Sequence, residues 1–125
     1  MAAVVGALAQ RGFQLRVSDA TFAERSRVLP FAHGATGLPV DVMLAGPGFE
    51  DAFFTRITRH SIDGVEVPVA DVTDLVVMKV FAGRPKDVED VITLLRVQHD
   101  RIDVDRARAA LQQLEAALGQ SDLLQ

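Results

Sequence analysis

The chain has 125 residues, 49% hydrophobic and 24% charged, with a formal net charge of −4 and no cysteine. That length carries one domain with a real core, so residues 1–125 are expected to form a single domain. Zero cysteines exclude disulfides, thiolate zinc sites and cysteine nucleophiles. Residues 1–60 hold six Lys or Arg against five Asp or Glu, and residues 61–125 hold seven against twelve. There is no strong nucleic-acid signature in that balance, because a dedicated binder presents a broad basic face. The mean hydropathy of +0.20 is slightly high for a soluble chain and suggests a surface hidden in an assembly. No apolar run approaches the ~20 residues of a membrane span, since Lys79 interrupts the best candidate. "MAAVVGALAQRGF" has neither a basic leader nor a cleavage site. The expected location is the cytoplasm of a bacterial-type cell, with no membrane partner.

In chain order, Val4, Val5 and Leu8 predict a helix over 3–10, stopped by Gly12. "GFQLRV" alternates Phe13, Leu15 and Val17 against Gln14 and Arg16, the pattern of a half-buried strand. "RVLPFAH" and "LPVDVML" are two further strands joined by "GATG" at 34–37, with Pro30 and Pro39 favouring edges or strand ends. "GPGFEDAFF" reads as a turn and a short helix, and "TRITRHSIDGVEVPV" as a hairpin turning at Asp63-Gly64. Asp71, with Asp74 three residues on, caps a helix that is apolar on most sides. Gly83 ends it and Pro85 opens the next, whose expected inner face is Val88, Val91, Ile92 and Leu95. Asp103 caps the last helix, which runs with Val104, Ala107, Leu111, Leu114 and Leu118 on one stripe to Gly119. The predicted fold class is α+β: a small mixed or antiparallel sheet in a strand-rich 1–70, followed by a helical 71–119.

Chemistry-bearing residues are few. Asp41 sits between Val40 and Val42 on an otherwise apolar strand, so it must be paired, metal-bound or solvated in a cleft. The plain reading is a strand-edge acid paired with an arginine; the alternative is one oxygen ligand for a hard divalent ion. Lys79 lies on an apolar helix, where it either reaches an anion or extends to water. Arg84, Lys86, Asp87 and Asp90 crowd the joint before the next helix, whose N-terminal N–H groups favour anions. At this level a polyphosphate site and a set of helix caps look alike. Asp103 and Asp105 have D-x-D spacing, but Asp103 is more simply a cap, and His33, His60 and His99 share no ligand spacing.

Taken together, "LPVDVML…VPVADVTDLVVMKVFAGRPKDVEDVITLL" resembles the C-terminal part of bacterial nucleotidyltransferases of the DNA polymerase beta superfamily, nearest to the small AbiEii-type abortive-infection proteins. The likeness runs from Leu38 to Leu95. It implies a nucleotidyltransferase-like fold and transfer of NMP from an NTP to a hydroxyl acceptor with Mg²⁺. It also implies roles: Asp41 as a metal-binding acid that activates the hydroxyl, Lys79 facing the nucleotide phosphates, and Arg84, Lys86 and Asp87 behind it. All five would converge on one cleft.

The family pattern also has a Gly-Ser or Gly-Gly turn and a D-x-D acid pair before the helix that opens this sequence. Gly6 lies inside that helix, with no acid pair after it. The resemblance therefore implies a domain without its first strands, inactive as this chain alone. The alternative it leaves is a non-catalytic interaction or regulatory module of toxin–antitoxin type. A homodimer or a partner protein is expected in either case.

Overall fold

Val4, Val5 and Leu8 do share a side: they lie on α1 (Ala2–Ala9) and cover the fully buried Leu29 and Phe31. The computed structural model describes residues 1–45, 51–119 and 123, in two compact units, Met1–Glu50 and Asp51–Gln125. Both are mixed helix and antiparallel strand, so the protein is α+β. Among the described residues no helix is long and apolar enough to cross a membrane.

In the first unit Gly12 (φ 83°) turns the chain from α1 into β1 (Phe13–Leu15). A helix absent from the sequence reading, α2 (Ala20–Ser26), precedes β2 (Val28–His33) and β3 (Pro39–Met43). The sheet order is β1-β2-β3, all antiparallel, with Leu29 opposite Val42 and Phe31 opposite Val40. Leu29, Phe31 and Ala23 of α2 form the core, joined by Phe13, Val42 and Leu44. Pro39 begins its strand as expected, but Pro30 stands in the central strand, not at an edge. The Pro30 carbonyl accepts from Arg16 N–H at 2.8 Å. Its nitrogen faces the same side and has no N–H to return that bond, and β1 ends at Leu15, one residue before Arg16.

The second unit opens with α3 (Asp51–Phe54); the turn expected just before it lies outside the described residues. The hairpin follows as β4 (Thr58–Ile62) and β5 (Val65–Val69), with Asp63 and Gly64 at φ 51° and 80°, a type I′ turn. Then come α4 (Val72–Ala82), α5 (Pro85–Val97), a single 3₁₀ turn at His99–Arg101, and α6 (Val104–Leu118). Helix α4 packs on both α5 and α6, with Val76, Val77, Ile102, Ala107 and Leu111 buried. Gly83 closes α4 at φ 61°, a left-handed cap that suits glycine.

One stripe differs from the sequence expectation. On α5, Asp87, Asp90, Val91 and Leu94 lie on the more buried side, while Val88, Ile92 and Leu95 are exposed. The ion pairs of Asp87 and Asp90 with α4 set this rotation, and apolar periodicity alone cannot register them.

Leu29→Ala should therefore remove core at a site that cannot refill, at a cost of about 2–5 kcal/mol in urea unfolding. A loss below about 1 kcal/mol would show that α1 and α2 do not close over the sheet.

Candidate functional site

Asp41 sits on the solvent side of β3: residues 39, 41 and 43 are exposed while Val40 and Val42 are half-buried. It lies directly opposite Pro30, and its carboxylate takes the Arg16 guanidinium across β2. The same guanidinium donates through Nε to the Phe31 carbonyl at 3.0 Å. With side chains 43% and 63% exposed, this is a surface pair between the two outer strands. The plain reading of Asp41, an acid paired with an arginine, is thus the observed one, and the pair is open to solvent.

Lys79, Arg84 and Asp87 come together in the second unit. Lys79, in the last turn of α4, places Nζ 2.5 Å from Asp90 and 3.5 Å from Asp87, both on α5. Arg84, at the N-cap of α5, holds the two oxygens of Asp87 at 2.5 and 3.1 Å. The Asp87 side chain is only 3% exposed, so the two cations around it are what make a buried carboxylate tolerable. The Arg84 hydrogen bond outweighs burial and, with Lys79, holds Asp87 below the usual carboxylate range. Asp90 first, and then Asp87, holds Lys79 above its ordinary value, and Asp87 does the same for Arg84. Two cations face two anions here, so the cluster is neutral. Lys86 is exposed on the first turn of α5 and takes no part in it.

The sequence reading missed a second charged cluster. Asp74, 4% exposed, accepts from Arg56 Nε and Nη2 at 2.8 Å each and from Arg106 Nη1 at 2.9 Å. Arg106 also binds Asp71, whose Oδ1 caps Thr73 N–H at 3.0 Å and Asp74 N–H at 3.4 Å. Burial alone would raise Asp71, but Arg106 and these two N–H groups pull it below the usual range. Arg56 is raised by its bonds to Asp74. Thr73, fully buried, accepts the Asp103 N–H at 3.0 Å, and Asp103 in turn caps α6 on Arg106 N–H at 2.9 Å. Asp71 and Asp103 are the caps the sequence indicated. Arg56 and Arg106 carried no distinguishing signal in the sequence, because their partner Asp74 stands 18 and 32 residues away.

A groove of about 450 Å³ opens beside the α4–α5 joint, lined by Val80, Phe81, Gly83, Val88, Val91, Ile92 and Leu123. That lining is mostly apolar and includes none of Lys79, Arg84, Lys86 or Asp87. Asp41 belongs to the first unit and the other four candidates to the second. Among the described residues, no three or more His, Cys, Asp or Glu side chains converge as a metal site. The profile of a family described as a nucleotidyltransferase of unknown function, DUF6036, matches residues 18–121. No curated protein and no solved structure matches the chain.

The lowered carboxyls give a signed expectation. Asp71 and Asp87 contribute stability that is fully present above the unfolded Asp value of about 3.9 and is lost as pH falls through their lower folded values. Melting temperature should fall steeply below about pH 4, and Asp87→Asn should flatten that fall while lowering stability at neutral pH. An unchanged acid limb in the variant would show that Asp87 does not depend on these cations.

Removing the carboxylates also separates the clusters. Asp74→Ala strands two arginines and should cost about 2–4 kcal/mol in chemical unfolding. Asp41→Ala, a surface pair, should cost less than about 1 kcal/mol.

Proposed function

The chain belongs to the nucleotidyltransferase family of unknown function DUF6036, and on that premise we propose that its activity class is transfer of a nucleoside monophosphate from an NTP to a hydroxyl acceptor. We place it in the DNA polymerase beta superfamily, near the AbiEii-type members. The observation that carries this reading is the family match over residues 18–121, a span that includes every candidate residue. In such a transfer the acceptor oxygen bonds to the α-phosphorus, pyrophosphate leaves, and the hydroxyl proton passes to a base. Asp41 is the proposed group near that hydroxyl, and Lys79 and Arg84 are proposed to face phosphate, with Lys86 beside them.

Each assignment carries a physical condition. Asp41 would have to release Arg16 before it could take a proton or an ion. Lys79 and Arg84 would have to exchange Asp90 or Asp87 for phosphate oxygens, keeping charge-assisted bonds throughout. The Mg²⁺ expected from the resemblance does not find a full ligand set among the described residues: Asp41 is engaged by Arg16, and Asp71, Asp74, Asp87 and Asp90 are each engaged by Lys or Arg. A hard ion needs several oxygens.

We therefore propose that residues 1–125 by themselves do not catalyse the transfer. The same engagement of every candidate acid favours a second reading, a non-catalytic interaction or regulatory module, for which a toxin–antitoxin setting is one form.

Incubation of the chain with each labelled NTP, Mg²⁺ or Mn²⁺ and bulk RNA or protein should transfer no label. Labelling that Asp41→Ala abolishes would overturn the proposed inactivity and establish the acid's role in one step.

A further inference from the structure

The hairpin β4–β5 pairs with no third strand among the described residues, and all but one of its strand residues are exposed. A two-stranded ribbon is marginal in water by itself. Its two edges are chemically unequal, and the register shows how. The type I′ turn makes Ile62 and Val65 a hydrogen-bonded pair, so Ser61–Glu66 and Arg59–Pro68 are the non-bonded pairs, whose backbone groups point outward. On the β5 edge Pro68 removes one outward N–H, which blunts that edge against pairing. On the β4 edge Arg59 and Ser61 both keep an outward N–H and C=O.

From this edge we infer that β4 is the site at which a second copy of the chain adds, antiparallel, about a two-fold axis through His60. In that register Arg59 of one copy is opposite Ser61 of the other, and each pair exchanges two backbone hydrogen bonds. His60 faces its own copy. The occupant is argued from charge as well as from backbone. Opposite residues share a face, so one row across the four strands runs Pro68, Arg59, then Ser61 and Glu66 of the second copy. Arg59 and the second Glu66 lie two strand spacings apart, about 9.6 Å, across a small serine. An arginine and a glutamate together span that distance. Neither residue has an ion-pair partner within its own chain among the described residues, although Arg59 stands diagonal to its own Glu66. The symmetry repeats the pair, so each dimer has two. The inference is independent of the proposed chemistry.

Five residues of edge bury less than the roughly 1,000 Å² of a stable interface, so the dimer should be weak, with a dissociation constant of about 10–100 μM. Sedimentation equilibrium of the full chain across that range should show monomer giving way to dimer. Ser61→Pro removes an outward N–H without touching a bond to β5 and should abolish association while leaving far-UV circular dichroism and melting unchanged. Arg59→Glu or Glu66→Arg alone should weaken the dimer about tenfold, since each change acts twice, and the two together should restore it. Recovery in the double variant cannot come from misfolding. Hydrogen exchange at the Arg59 and Ser61 amides should slow with concentration in the wild type and not in Ser61→Pro. A monomer throughout the range, a dimer indifferent to Ser61→Pro, or a double charge variant no better than the singles would each overturn the β4 assignment.

Discussion

The second unit depends on keeping one buried carboxylate satisfied. Asp74, 4% exposed, would be untenable without the two arginines that grip it, and those arginines come from distant parts of the chain. Arg56 follows α3 and Arg106 begins the packed part of α6, so meeting the charge of Asp74 fixes both segments against the start of α4. Thr73 adds a neutral bond from the same turn to the Asp103 N–H, which sets the height of α6. The apolar residues Val76 and Val77 then pack in a register already determined by charge. At the far end of α4, Lys79 repeats the logic with α5. Acids near the helix start and a lysine near its end also agree with the helix dipole.

This arrangement bears on the two functional readings. The charges of the α4–α5 joint form a closed neutral set, and a structural clasp has that character. A phosphate site has a surplus of positive charge. Exchange is nevertheless cheap in principle, because Arg84 is largely exposed and Asp90 is half in water. A polyphosphate arriving at Lys79 would displace Asp90 more readily than Asp87, which is buried under two cations. The catalytic reading requires that exchange, and the module reading requires only that the clasp stay shut.

What the sequence disclosed was local. Asp71, Gly83, Pro85, Asp103 and Gly119 marked helix ends because a cap is a bond between near neighbours. Asp63-Gly64 marked the hairpin for the same reason. The arginine partner of Asp41 could be expected as a type, but its identity as Arg16, 25 residues away, could not. Asp74 read as half of a capping box, whereas its partners stand 18 and 32 residues off. Helix α2 went unread because "ATFAERS" has too few apolar residues for a stripe; its signal was Asp19, whose carboxylate accepts the Thr21 N–H at 2.9 Å. The α5 stripe misled because Asp87 and Asp90, not its valines and leucines, decide which side turns inward.

The chain is uneven in how it satisfies its polar groups, and that unevenness has a direction. In the helical part, every carboxylate near the α4 axis has a cation, and no buried side-chain polar atom among the described residues lacks a partner. In the hairpin, backbone donors and acceptors on β4 face outward, while proline sits on the matching outward position of β5. The asymmetry also limits growth: once two β4 edges meet, the edges left on the sheet are the two bearing Pro68. On the proposed pairing, further growth would have to use the β5 edges, where Pro68 has removed an outward N–H and only Glu66 keeps one.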